Sequence, residues 1–396
     1  MATLSFDEAR SCVLQTVCAH AAAPRVETVW LLDAAGRVLA EPVRADRDYP
    51  PTARSVRDGF AVRSADPPRN LRVIGEARAG AGFQGQVGPG EAVEIMTGAP
   101  TPDGADAIIM VEHVVRNGDR ISAEKPVRAG DFINAQGVEA RAGEVVVDRG
   151  WRLDYARIAQ LAAVGCVRPR VYARPRVAIL STGDEVVNIE DTPRESQVRN
   201  SNAYALAVQV ARAGGAADIL PVARDNYAST RELIERGLAA DLLLLSGGVS
   251  AGKYDIVERV LADLGAEFYF DRVRIQPGQP LVFGRARGRF FFGLPGNPAS
   301  TMVCFELFAR AALDLLGGCS AAPLPLLHAR LTEPFRHRPG LTRFLPAIVD
   351  DQGGITPVRW AGSSDVPSLA RANAFLVTEE QRESWEAGDW IRALLK

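Results

Sequence analysis

Apolar and polar positions alternate along this chain in three textures, and the changes of texture mark its modules. The opening Ser5-Phe6-Asp7-Glu8 is followed by apolar residues at helical spacing, with Ser5 and Glu8 in capping-box register. This predicts an amphipathic helix that packs on something outside its own segment. From about Pro50 to Gly143 the pattern shifts to short runs, LRVIGEA, AVEIM and AIIMVEHVV, separated by Gly, Pro and Asp clusters, which predicts a β-rich module. LDYARIAQLAAV, ending at Val164, is helical again.

After Arg174-Pro175 strand and helix patterns alternate: VAIL, NAYALAVQVARAG, DILPVA, TRELIERGLAA, LLLLS, YDIVERVLADLG, FYFDRVRI, LVFG, FFFGL and ASTMVCFELFARAALDLL. Such alternation predicts a doubly wound, mostly parallel α/β domain covered by helices. Beyond Gly317-Gly318 and the prolines Pro323 and Pro325, short alternating strands return in FLPAIVD and NAFLVTEE before the closing DWIRALL. They predict a small β-barrel or sandwich.

Composition narrows the classes. At 396 residues the chain exceeds what one core organises. A formal charge of −2 supplies no field for nucleic acid or acidic lipid, so any anion must be held locally. The start lacks the uninterrupted apolar core of a signal peptide, and no segment reaches the roughly 20 apolar residues of a membrane span. Cys12, Cys18, Cys166, Cys304 and Cys319 are odd in number and form no C-x-x-C pair. Free thiols in a reducing, cytoplasmic setting are expected. Four scattered histidines argue against a histidine zinc site and leave oxygen ligands as the expected metal chemistry.

Three loops follow apolar strands. In Ser246-Gly247-Gly248-Val249-Ser250-Ala251-Gly252 paired glycines allow backbone N–H groups to converge on an anion, with Ser246 and Ser250 as hydroxyl donors and the helix start near Lys253 behind them. In Gly293-Leu294-Pro295-Gly296-Asn297-Pro298-Ala299-Ser300, Asn297 suits an N-cap and Pro298 the first helical position, whereas the preceding glycines offer bare backbone to a ligand. Ser181-Thr182-Gly183-Asp184-Glu185 adds hydroxyls and two carboxylates, which tolerate a phosphate when Mg²⁺ lies between them. Each loop alone also fits a plain turn, with Asp184 and Glu185 solvated. In an open α/β sheet the three lie on one edge and are expected to line a common crevice for a phosphorylated small molecule.

These motifs, together with Ser55-Val-Arg-Asp58-Gly59-Phe60-Ala61-Val62, Met96-Thr97-Gly98-Ala99-Pro100, Pro277-Gly278-Gln279-Pro280 and Ser368-Leu-Ala-Arg-Ala-Asn373, occur in an order that resembles the molybdopterin molybdenumtransferase (MoeA-type) family, which includes the gephyrin E domain. The resemblance implies a multi-domain α/β protein: a discontinuous N-terminal linking domain (1–49 and 144–174), a β-rich domain (50–143), a molybdopterin-binding α/β domain (175–318) and a C-terminal β-barrel (319–396). It implies a homodimer whose cleft is shared between subunits, and the molybdopterin adenylyltransferase as a partner. The implied reaction converts adenylylated molybdopterin and molybdate, with Mg²⁺, to molybdenum cofactor and AMP.

Carried over to matching positions, the catalytic residues are Asp58, Thr97, Glu185, Asp225 and Asp255, with Glu185, Asp255 and Asp184 as metal ligands. Ser181, Thr182, Gly183, Ser246, Gly247, Gly248, Ser250, Gln276, Gln279, Pro295, Gly296, Asn297, Pro298 and Ser300 are the expected pterin-binding set. Asp255 also fits a charge favoured in a helix first turn, and Asp225 a turn former. The chain departs from the family at Gln276 and Gln279, where lysines are common, at Arg57, where methionine is usual, and at Gly137-Val138-Glu139 with Asn134, Ala135 and Gln136 nearby. Those departures keep a non-catalytic binding or scaffolding relative open as the alternative. A nucleotide-dependent enzyme of another kind explains the α/β loops but not Asp58 and Thr97.

Overall fold

The computed structural model describes residues 3–247 and 256–396. The chain forms two compact units: Met1–Glu27, Gly36–Ala40 and Arg170–Lys396 make one, Thr28–Ala35 and Glu41–Pro169 the other.

In the first unit a six-stranded sheet runs, edge to edge, Ala216–Ile219, Arg176–Ser181, Leu242–Ser246, Arg289–Leu294, Pro280–Ala286 and Glu267–Arg272. The first four strands are parallel to their neighbours and the last two pair antiparallel. Alternate side chains of each strand leave opposite faces, and both faces are apolar. Val177, Ile179, Leu242 and Leu244 enter one core layer with Leu206, Val210 and Phe305. Ala178, Leu180, Leu243 and Leu245 enter the other with Ile234, Val257 and Val260. Helices Ser201–Arg212 and Pro298–Cys304 thus cover one face, Tyr227–Gly237 and Ile256–Asp263 the other. This is the doubly wound arrangement that the strand and helix alternation predicts.

The N-terminal helix Phe6–His20 closes its capping box: Ser5 Oγ accepts from Glu8 N at 3.3 Å, and Glu8 Oε2 from Ser5 N at 2.8 Å. Phe6, Ala9, Val13 and Val17 form its buried stripe in the first core layer, and the Phe6 ring meets Phe344 edge-on at 5.2 Å. Two elements differ from expectation. The strand predicted as DILPVA ends at Ile219: Leu220 N still donates to Ile179 O at 2.9 Å, but the next bond to the neighbouring strand comes from Ala223 N to Ser181 O at 2.9 Å and not from Val222, so the pairing slips by one residue. The long helix predicted through ASTMVCFELFARAALDLL contains a π turn at Phe305–Ala309, which leaves Phe305, Leu307 and Phe308 all buried.

Five C-terminal strands close on themselves: Thr342–Val349, Gly354–Pro357, Leu326–Leu331, Trp390–Leu395 and Ala374–Val377, which returns to Thr342–Val349. Closure settles the sequence alternatives in favour of a barrel and leaves no free edge. Ile275–Gln276 adds in parallel to the outside of Thr342–Val349, tying the barrel to the α/β layer.

In the second unit a six-stranded sheet runs Ala107–Met110, Gly59–Val62, Glu91–Ile95, Leu71–Ala77, Arg120–Ala123 and Val114–Asn117. Phe60 and Val62 face one buried cluster and Ala61 the other, so this sheet too is covered on both sides. Among the described residues no helix is long and apolar enough to cross a membrane.

Candidate active site

Three parallel strands end in register. Ser181 pairs with Ser246, and Ser246 with Leu294. The loops that follow border one cleft of about 650 Å³, lined by Ser181, Thr182, Glu185, Ser246, Gly247, Pro295, Gly296, Asn297 and Pro298 among others. All three sequence-selected loops therefore meet at the carboxyl edge of the sheet. Gly248, Ser250 and Asp255 lie outside the described residues.

At two of the loop glycines, Gly247 and Gly183, the backbone amide is already engaged. The Gly247 N–H, read from sequence as an anion donor, donates to Leu294 O at 3.2 Å, and the Gly183 N–H donates to Ala223 O at 3.1 Å. Both amides are consumed by extension of strand-like pairing past the strand ends. Gly247 instead has φ +90°, and a Cβ there would sit 3.0 Å from Thr182 O. A Cβ on Gly296 would come within 3.7 Å of Gly247 Cα, so the two loops approach at their barest points.

The residue that joins these loops was not selected from sequence. Asn202 lines the cleft from the first turn of Ser201–Arg212, and its Nδ2 donates to Ser246 Oγ and to Gly296 O, both at 2.8 Å. A carbonyl only accepts, so this pair of bonds fixes which end of the amide is nitrogen. Neighbouring Asn200 caps the helix, accepting from Ala203 N at 3.3 Å, and receives the Ser181 hydroxyl at 2.8 Å. The only sequence signal was the run Asn200-Ser201-Asn202, which reads as N-cap chemistry and nothing more. Arg199, also unselected, is a cation lining the cleft, with its Nε donated to Asp191 O at 3.1 Å.

Asn297 occupies the N-cap position ahead of Pro298, as expected, but makes no capping bond. Its Nδ2 donates to Ser363 Oγ at 2.8 Å instead, while Thr301 Oγ1 holds Pro295 O. Ser300 is buried in that helix and does not line the cleft. Thr182 Oγ1 is buried without a hydrogen-bond partner.

Of the carboxylates, Glu185 lines the cleft, its Oε2 lying where a Cβ on Gly183 would come within 2.3 Å. Asp184 and Asp225 do not line it. Each accepts the other's backbone N–H, Asp225 Oδ2 from Asp184 N at 3.3 Å and Asp184 Oδ1 from Asp225 N at 3.2 Å, so the two loops are latched together. Among the described residues no group of three or more His, Cys, Asp or Glu is arranged as a metal site. Among the described residues Glu185 is the one carboxylate of the lining, and with the neighbouring hydroxyl oxygens it fits Mg²⁺ that is carried chiefly by phosphate and water.

Gln276 and Gln279 lie outside the cleft lining, which begins at the next residue, Pro280. The Gln276 Oε1 accepts from the Arg343 guanidinium, so a cation stands beside the position where the resembling family carries lysine. Between them Gly278 has φ +104°, and a Cβ there would lie 2.3 Å from Cys304 Sγ.

In the second unit Asp58 and Thr97 are exposed and form one group. Asp58 Oδ1 accepts from Thr97 N at 2.6 Å and Thr97 Oγ1 at 2.8 Å. First the backbone bond and then the hydroxyl bond hold the carboxyl below its ordinary range.

Comparison with known proteins gives three matches along the chain: the MoeA N-terminal region (domain I and II) at residues 4–165, a probable molybdopterin binding domain at 178–315, and the MoeA C-terminal region (domain IV) at 328–396. A molybdopterin molybdenumtransferase of Bacillus subtilis is 34% identical over 96% of this chain and 92% of its own length. One from Nostoc is 37% identical over 74% of this chain and 70% of its own. The crystal structure of a molybdopterin biosynthesis MoeA protein from Pyrococcus horikoshii superposes over the whole of both chains with a TM-score of 0.83 at 28% identity.

Proposed function

Because the chain belongs to the molybdopterin molybdenumtransferase family, we propose that it inserts molybdate into adenylylated molybdopterin with release of AMP. The observation that carries this reading is the single cleft in which Ser246, Thr182, Glu185 and Gly296 meet at the ends of three parallel strands. That is where open α/β sheets hold ligands.

Cleaving the anhydride builds negative charge on phosphate oxygens, and donors fixed in advance lower that barrier. Ser246 accepts from Asn202, which leaves its own proton free for a phosphate oxygen. Arg199 supplies positive charge, and Asn202 holds the Ser246 strand end and the Gly296 loop at one spacing. Mg²⁺, held by Glu185, would neutralise charge on the anhydride. Asp184 and Asp225 keep the Glu185 loop in place, and Asp58 with Thr97 forms a second acidic group that acts on substrate.

We assign the chain the four domains 1–49 with 144–174, 50–143, 175–318 and 319–396. The protein acts in the cytoplasm as a homodimer that shares its cleft and receives substrate from the adenylyltransferase. Trp30, Leu32, Trp151 and Tyr155, exposed at 50, 70, 52 and 90% in the second unit, are apolar surface suited to such an interface. Light scattering on the purified chain is expected to give twice the monomer mass; a monomer at assay concentration contradicts the shared cleft. Incubation with adenylylated molybdopterin, molybdate and Mg²⁺ is expected to release AMP, and release no greater than in buffer contradicts the activity.

A further inference from the structure

A second cavity, of about 430 Å³, opens at the opposite edge of the same sheet. Its walls include Pro175, Asp241 and Arg289, which lie at the amino ends of the strands Arg176–Ser181, Leu242–Ser246 and Arg289–Leu294. The carboxyl-edge cleft described above contains none of these residues.

Charge sets this cavity apart. Arg25, Arg174, Arg285 and Arg289 line it with Asp241 as the one carboxylate, in a chain whose formal net charge is −2. That carboxylate is already engaged at both oxygens: Oδ1 by Arg289 at 3.2 Å and Oδ2 by the Arg176 N–H at 2.9 Å. Arg25 and Arg174 are exposed and form no ion pair among the described residues. Arg285 keeps a buried Nε without a hydrogen-bond partner. Its cross-strand neighbour Glu267 accepts the Tyr269 hydroxyl at 2.9 Å and forms no ion pair with Arg285 among the described residues. Among the described residues none of these arginines hydrogen-bonds a carbonyl at the end of helix Phe6–His20, so capping of that helix does not account for them.

Guanidinium groups stay charged at any working pH, and gathering them in one cavity is unfavourable unless an anion joins them. Their planar forks match phosphate oxygens two at a time. We propose that this cavity is a second anion site, which takes a compact phosphate-bearing ligand of pyrophosphate size and is separate from the cleft where the transfer reaction takes place. A volume of about 430 Å³ favours a small polyanion over an extended acidic peptide.

Pyrophosphate is the probe, titrated calorimetrically into the full chain at low salt and followed in parallel by thermal denaturation. Saturable binding is expected to survive Asn202→Ala in the cleft and to weaken roughly 100-fold in Arg25→Gln/Arg174→Gln, about tenfold for each charge-assisted contact removed. The ligand-free double variant is expected to melt no lower than wild type, since repelling charges have been removed, while pyrophosphate raises the melting temperature of wild type and of Asn202→Ala but not of the double variant. Arg285→Gln, on a different element, is expected to show the same loss and covers the case in which the double variant does not fold. Binding that disappears in Asn202→Ala but persists in the arginine variants assigns pyrophosphate to the cleft and overturns the proposal. So does an absence of binding to wild type, or tighter binding of a polyglutamate peptide than of pyrophosphate.

Discussion

The two edges of the six-stranded sheet handle charge in opposite ways. At the carboxyl edge the cleft is lined mainly by hydroxyls, amides and bare backbone, with Arg199 and Glu185 of opposite sign. Its polar groups are oriented by one another: Asn202 holds Ser246 and Gly296, and Asn200 holds Ser181. At the amino edge, four arginines face one carboxylate, and only Arg289 is tied down by it. The carboxyl edge has geometry with little net charge, and the amino edge has net charge with little fixed geometry. Chemistry on an anhydride depends on placement within fractions of an ångström, whereas simple capture of an anion depends mainly on field strength.

If that contrast is right, the largest effect comes from disturbing geometry at the carboxyl edge. Gly247→Ala forces a side chain into a left-handed conformation against Thr182 O, at a strain of about 1–3 kcal/mol. Chemical denaturation should show that loss, and AMP release should fall by about 100-fold as the loop shifts. Asn202→Ala comes next. It removes two bonds but no packing partner of the core, so turnover is expected to drop roughly 10-fold or more while the melting curve changes little. Asn202→Asp should not rescue it, because a carboxylate cannot donate to Gly296 O.

Salt separates the edges by a smaller factor. Raising ionic strength toward about 1 M, where screening acts within about 3 Å, should weaken pyrophosphate binding at the amino edge severalfold. Binding at the cleft, which relies on oriented donors, should change less; equal sensitivity would remove the contrast.

The smallest effect concerns Asp58 in the other unit, where the Thr97 amide and hydroxyl depress the carboxyl pKa. Stability from this pair is present above the unfolded pKa of Asp58 and is lost as pH falls through the folded one. Thr97→Val removes the hydroxyl bond, so NMR titration of Asp58 should show its pKa moving up toward the ordinary carboxylate range. An unchanged titration would place the depression wholly on the backbone bond.

Much of the framework was legible in the chain because it rests on local rules. Alternate apolar residues in Leu242–Leu245 reach two core layers, and Ser5 with Glu8 closes the helix start. The three loops were legible because strand ends in a parallel sheet share an edge. What was not legible depended on contacts between distant segments. Asn202 meets Gly296 across 94 positions, and nothing in Asn200-Ser201-Asn202 distinguishes a bridge from a cap. The part played by Gly247 was misread for a similar reason. Its amide is taken by Leu294 O on a strand that begins more than forty residues later, and only the close approach of Thr182 explains why a glycine is required. The charge absent at Gln276 stands beside it on Arg343, which comes from the barrel and which no local pattern signals. The amino-edge arginines come from three separated stretches, near Arg25, Arg174 and Arg285, and no local pattern joins them.

A crystal structure with adenylylated molybdopterin bound tests the central claim most directly. The anhydride is expected in the carboxyl-edge cleft, within hydrogen-bond reach of Ser246 and Arg199 and beside the Gly296 loop that Asn202 holds. Density for the anhydride at the amino edge, with the cleft empty, would contradict it.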